Sequence, residues 1–180
     1  MAQNRKSVEA TVEKVFNVPV FMYSYPNTEF EEVDNVNATM SAIANAFDEE
    51  SSVSDKIKEL VSKAKNKKNK GKVEDFDALI VNPEDYQAIL VKFKEEESRT
   101  AVVKKMLGVP VYMYSYPNEE YEEVKTIEAI MNLLGGGTLE DSIKELINKA
   151  KKKEKKGKIK HFDAIIVSPD DLSGILIKFN

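Results

Sequence analysis

Two stretches of this chain recur, so any fold it adopts has to build the same thing twice. Val18 to Asn27 reads VPVFMYSYPN and Val109 to Asn118 reads VPVYMYSYPN, nine identities in ten at an offset of 91. Lys70 to Phe93 and Lys156 to Phe179 agree at 14 of 24 positions at an offset of 86. The offset changes near Phe47 to Ser51, where the second copy has the short Gly135-Gly136-Gly137 turn. Two copies are too few for a solenoid, whose stacked units need about three or more to bury a continuous core. We therefore expect two tandem copies of one domain, residues 1–97 and 98–180, related by a pseudo-two-fold axis.

Within each copy the spacing of apolar residues predicts an α-β-α-α-β-β unit of the α/β (α+β) class, with the two sheets able to join edge to edge. Ser7 to Phe16 and Ser98 to Leu107 place Val8, Val12, Val15 and Phe16, or Val102, Val103, Met106 and Leu107, at helical spacing. Each segment then meets Asn17 or Gly108, residues that tolerate the positive φ of a helix C-terminus. VPVFMYSY alternates Val20, Met22 and Ser24 with Phe21, Tyr23 and Tyr25, the period of a strand. After Pro26-Asn27 and Pro117-Asn118 a second helix is expected, with Phe30, Val33, Met40 and Ile43, or Tyr121, Val124, Ile127, Met131 and Leu134, as its buried stripe. A third begins at Ser52 or Thr138, is capped through Asp55 or Asp141, and stops at Gly71 or Gly157. A strand hairpin around Asn82-Pro83 and Ser168-Pro169 closes the unit.

Composition removes several chemistries. With no cysteine there is no disulfide, thiolate metal site or cysteine nucleophile, and the lone His161 leaves little for a histidine metal site. We expect no metal and no cofactor. No apolar run approaches the length of a membrane span, and the opening residues lack the apolar stretch of a signal peptide, so the expectation is a cytoplasmic protein with no membrane contact.

The candidate site is the aromatic strand and the turn after it: Tyr23, Tyr25 and Asn27 in one copy, Tyr112, Tyr114, Tyr116 and Asn118 in the other. Between Asp34–Ile43 and Lys125–Leu134 only two of ten positions agree, so the copies have drifted, yet Tyr-Ser-Tyr-Pro-Asn is unchanged. The Phe21 to Tyr112 difference suggests that this position reaches water or a partner. A Tyr-x-Tyr pair is suited to docking a partner or stacking a base, and also to ordinary sheet packing. The second candidate is the lysine-rich end of the third helix, where Lys67, Lys68, Lys70, Lys152, Lys153 and Lys155 are candidate phosphate ligands. Cations there also suit a helix C-terminus facing water.

Asp77 opening one strand and Lys92 on the next resembles the PD-(D/E)xK nuclease hairpin, which would imply a metal-dependent nuclease. Leu90 and Leu176 occupy the place of its second carboxylate in both copies, so each would lack a metal ligand. A Ser-His device is limited to one half, because Asp75 stands where the other copy has His161. The leading reading is a non-enzymatic interaction module with two equivalent surfaces, binding a protein partner, another copy of itself or a small ligand. The alternative is a nucleotide or single-stranded nucleic-acid binder.

Overall fold

The computed structural model describes residues 8–38, 52–94, 99–128 and 138–180. Among them are fourteen strands, β1 (Glu9–Val12), β2 (Lys14–Val15), β3 (Val18–Met22), β4 (Ser24–Pro26), β5 (Phe30–Asn37), β6 (Ala78–Asn82), β7 (Gln87–Phe93), β8 (Thr100–Val103), β9 (Lys105–Met106), β10 (Val109–Tyr112), β11 (Ser115–Pro117), β12 (Tyr121–Glu128), β13 (Ala164–Ser168) and β14 (Ser173–Phe179). Two helices complete them, α1 (Val53–Asn69) and α2 (Leu139–Lys155). The described residues thus form a mixed α+β fold with three sheets and no closed barrel. Two sheets have five strands, ordered β2-β3-β6-β7-β5 and β9-β10-β13-β14-β12; the third has four, ordered β11-β1-β8-β4. Neither helix is long and apolar enough to cross a membrane.

The helices form where the sequence places them. Ser52 accepts from the Asp55 N–H at 3.1 Å, and Thr138 and Asp141 make a reciprocal capping box. Each helix buries one stripe, Ile57, Leu60, Val61 and Ala64 or Ile143, Leu146, Ile147 and Ala150. Each large aliphatic side chain so buried contributes about 1.5–3 kcal/mol. Gly71 and Gly157, at φ 64° and 65°, turn the chain out of the helix.

Two expected helices are strands instead, so among the described residues the unit order α-β-α-α-β-β is replaced by five strands, one helix and two strands. The segments around Ser7 to Phe16 and Ser98 to Leu107 form β1 and β2, and β8 and β9, of which residues 7 and 98 lie outside the described part. Ala10 and Val12 are buried while Glu9 is exposed, a period of two that the short window concealed. Asn17 and Gly108 do adopt positive φ, together with Phe16 and Leu107, but as the two-residue turns of hairpins. The second expected helix is β5 in one half and β12 in the other. A register shift between Glu32 and Asp34, and between Glu123 and Lys125, adds one residue to each strand. Phe30 and Tyr121 face the inner core, whereas Val33 with Val36, and Val124 with Ile127, share the helix-side face across the extra residue, and the resulting spacing of three mimics a helix. Met40, Ile43, Met131 and Leu134 lie outside the described residues.

The five-stranded sheets do not meet edge to edge. One face of each packs on its helix; the other shares an inner core with the four-stranded sheet. Phe21, Ala78, Val91 and Phe93 come from one large sheet, Tyr112, Ala164 and Ile177 from the other, and Ala10, Val12, Ala101 and Val103 from the small one. Phe21 meets Phe93 edge to face, with centroids 6.3 Å apart at 78°. In the small sheet β1 lies between β11 and β8, and β8 between β1 and β4. The central pairing is Ala10 opposite Ala101.

Gly174 tests how closely this packing is determined. A Cβ there would stand 2.5 Å from Ile165 Cδ1 and 2.9 Å from its Cγ1. The matching positions in the other sheet are Ala88 and Leu79, both fully buried. Gly174→Ala is expected to cost about 1–3 kcal/mol in chemical denaturation. Adding Ile165→Leu should recover most of that loss, and an unrelieved double variant would contradict the packing described.

Candidate functional site

The Tyr-Ser-Tyr segment is where the chain changes sheets. β3 runs parallel to β6 up to Met22 opposite Val81, and β4 then pairs with β8. Between them Tyr23 adopts φ 53°, and Tyr114 adopts φ 51° at the matching place. A bulky residue in this region is strained and persists only where its surroundings hold it. The expected alternation of Phe21, Tyr23 and Tyr25 on one face is broken here. Phe21 enters the inner core, Tyr23 packs into the helix-side core at 6% exposure, and Tyr25 stands 60% exposed. Tyr114 is half-buried and Tyr116 is 51% exposed. Tyr112 does not reach water: it is fully buried where the other half has Phe21, because the inner core accepts either ring. Burial first, and the Glu119 carboxylate second, hold its pKa well above that of a free phenol. Asn27 and Asn118 are exposed, and Asn118 Oδ1 accepts from Thr11 Oγ1 at 2.7 Å.

Beside each of these segments lies a cleft, floored where the small sheet stops short of covering the β6–β7 or β13–β14 hairpin. The first, of about 450 Å³, is lined by Tyr23, Ser24, Tyr25, Ile80, Pro83, Glu84 and Ile89, and by Lys104 and Glu140. The second, of about 340 Å³, is lined by Tyr114, Ser115, Tyr116, Ile166, Pro169 and Ile175, and by Glu13 and Ser54. At offsets of 91 and 86 these residues correspond, Lys104 with Glu13 and Glu140 with Ser54 included, except that Glu84 lines the first cleft while its counterpart Asp170 does not line the second. Each cleft thus takes two wall residues from the other half of the chain.

Their electrostatics differ. In the first cleft Lys104 approaches Glu140 at 3.6 Å and Lys144 approaches it at 2.8 Å. The Tyr23 hydroxyl donates to Glu84 over 3.5 Å, too long for a strong bond. Burial, then Glu84 and Glu140, push the Tyr23 phenol far above its ordinary pKa. Ser24 is 3% exposed, and its Oγ meets no partner. In the second cleft Asp170 accepts from the Ser54 N–H at 2.9 Å and from Ser54 Oγ at 2.5 Å, and Ser54 Oγ lies 2.9 Å from the Tyr114 hydroxyl. Ser115 Oγ donates to the Met113 carbonyl at 3.3 Å. Tyr86, half-buried under Lys56 at 4.2 Å, feels both Glu84 and Asp170.

The lysines lie elsewhere. Lys67 holds Asp34 at 2.5 Å and the Asn35 carbonyl at 2.9 Å, and Lys68 pairs with Asp75. Lys65 and Lys151 donate to the Phe16 and Leu107 carbonyls at the hairpin turns, both at 2.6 Å. Lys70, Lys152 and Lys155 are exposed and Lys153 is half-buried. None of the six candidate phosphate ligands lines either tyrosine cleft. The carboxylates of Asp77 and Asp163 accept from the Phe93 and Phe179 N–H groups at 2.8 and 3.0 Å, closing each hairpin. His161 sits between Glu154 at 2.6 Å and Asp163 at 3.3 Å, which raise its pKa, Glu154 foremost. No group of three or more acidic or histidine side chains placed to hold a metal occurs among the described residues.

Glu84 and Asp170 were read from sequence only as acids neutralising turn N–H groups, and Ser54, Lys104, Glu140, Glu13 and Tyr86 were not singled out. The signal available was the swap of residue type at 13/104 and 54/140 within otherwise matching copies.

Tyr116 gives the second cleft a pH signature. Its hydrogen bond to Glu13, and burial after that, push its pKa up to about 12. An unfolded tyrosine titrates near 10. The contribution to stability is therefore complete below about pH 10 and lost as pH rises through the folded value. In Glu13→Gln the Tyr116 ring resonance should titrate at lower pH; an unchanged titration would remove Glu13 as the cause. No family model matches the chain, and no curated protein or solved structure matches it.

Proposed function

We propose that residues 1–97 and 98–180 are tandem copies of one unit related by a pseudo-two-fold axis, and that the chain is a non-enzymatic binding module whose clefts receive an extended segment of a protein partner. The single observation carrying this reading is the pair of clefts lined by corresponding residues, each completed by side chains from the other copy. The matched strand orders of the two large sheets support the duplication.

The protein partner is favoured by the strand at each rim. β4 and β11 are the outer strands of the small sheet. Lys104 N–H donates to the Tyr23 carbonyl and Asn27 N–H to the Thr100 carbonyl. Pairing alternates along an antiparallel ladder, so Tyr25 turns its backbone groups to β8, while the Ser24 N–H and carbonyl and the Pro26 carbonyl point outward. An extended segment can use those groups by displacing the cover over Ser24, which is 3% exposed, while its alternate side chains cover Ile80 and Ile89. The lysine ends lie away from the clefts and are partly taken up by Asp34 and Asp75, which weighs against a phosphate-bearing ligand.

The test is to pan a displayed library of short peptides against the full chain and repeat the binding with Tyr25→Ala/Tyr116→Ala. Enrichment of peptides alternating β-branched and polar residues is expected. Binding should fall by about tenfold or more, equivalent to about 1.4 kcal/mol, while stability falls by no more than about 0.5–1.5 kcal/mol, the worth of the Tyr116 hydrogen bond to Glu13, because both rings are exposed. Undiminished binding, or a collapse of the fold, would contradict the reading.

A further inference from the structure

The two clefts match in sequence position but not in state. In the second, every hydroxyl facing the seam is engaged within the chain. Asp170 sits on the first turn of α1, held by the Ser54 N–H and Oγ, and Ser54 Oγ is also within hydrogen-bond distance of the Tyr114 hydroxyl. A carboxylate is favoured there by the unpaired N–H groups and dipole of the helix. Asp170 thereby ties the β13–β14 turn to the other half of the molecule.

The first cleft is denied that contact by one residue. Where α1 has Ser54, α2 has Glu140, and Glu84 stands where the other half has Asp170. A second carboxylate cannot join Glu140 at the same helix turn without like-charge repulsion. Glu140 is instead compensated by Lys144 and Lys104, and among the described residues no hydrogen bond joins Glu84 to α2. Ser24 Oγ, buried at the cleft wall, is left without a partner, whereas its counterpart Ser115 is bonded. An unsatisfied buried hydroxyl is costly, and a bound partner is one way that cost is met.

We infer that the first cleft is the working site and that in the second an Asp170–Ser54–Tyr114 latch holds the cleft wall and its polar groups within the chain. The occupant of the first is an extended peptide segment that pairs with the outward groups of Ser24 and Pro26 and supplies an acceptor for Ser24 Oγ. Its apolar side chains cover Ile80 and Ile89. The missing N–H of Pro26 limits the ladder to a short stretch, which blunts the same edge against indiscriminate strand pairing. This assignment rests on the peptide-binding reading above and goes further by making the two sites unequal.

The experiment titrates a peptide selected on the full chain into isotopically labelled wild type, Asp170→Asn and Ser54→Ala, following amide shifts and stoichiometry, with melting curves as a check on folding. In wild type, shifts confined to Ser24, Tyr25, Ile80 and Ile89 at one peptide per chain are expected. Weakening the latch should add shifts at Ser115, Tyr116, Ile166 and Ile175 and bring the stoichiometry toward two. If one latch variant fails to fold, the other carries the test. Ser24→Ala should weaken binding at the first cleft. Equal shifts at both clefts in wild type would overturn the latch while leaving peptide binding intact. Binding confined to the second cleft would overturn the assignment of the working site. No shift at either cleft, with any peptide recovered from the library, would overturn the binding reading itself.

Discussion

The antiparallel pairing of β1 with β8 holds the rest of the structure in place. It brings residues 9–12 and 100–103 together around Ala10 and Ala101, both fully buried. Small side chains at the centre let the sheet lie close over Phe21 and Tyr112, and the inner core fills with residues from both halves. Once β1 and β8 are fixed, β11 and β4 have edges to add to, and each half of the chain finishes its small-sheet contribution beside the other half. The boundary between halves is therefore a sheet interior, with backbone hydrogen bonds running across it.

The clefts follow from that arrangement. To reach the small sheet, each chain half must leave its large sheet at Tyr23 or Tyr114, and the left-handed backbone there makes the departure abrupt. The hairpin beyond keeps its isoleucines only partly covered, Ile80 and Ile89 or Ile166 and Ile175. Strain at the tyrosine and incomplete cover at the isoleucines are thus two sides of one event, the change of sheet. What then distinguishes the clefts is electrostatic: Ser54 donates to a neighbour's carboxylate and Glu140 repels one.

Much of this was legible in the sequence. Both observed helices were placed by their caps, their apolar stripes and the glycines that end them, because helix signals are local. The closing hairpins were legible for the same reason. β1 and β8 were misread because four-residue strands satisfy a helical window as easily as a strand pattern, and their pairing partners lie some ninety residues away in sequence. β5 and β12 were misread because apolar residues from both faces, Phe30 or Tyr121 on one and Val33 and Val36 or Val124 and Ile127 on the other, fall three apart once one extra residue separates the second pair. The repeat marked Tyr-Ser-Tyr as a shared segment, but the positive φ at its first tyrosine left no trace in residue type. Alternation alone put Tyr23 beside Tyr25, whereas one ring is core and the other faces solvent.

Cross-linking tests the interleaved sheet most directly, because the chain has no cysteine of its own. Val12 N–H donates to the Arg99 carbonyl at 2.9 Å, so Thr11 and Thr100 form the non-hydrogen-bonded pair beside it. Such pairs hold their Cα atoms about 4.5 Å apart, within the span of about 4.4–6.8 Å that a disulfide bridges. In Thr11→Cys/Thr100→Cys a disulfide is expected to close within single chains under mild oxidation, on a protein that remains folded. Cysteines that stay reduced, or that link only one chain to another, would contradict the pairing of β1 with β8 on which the clefts depend.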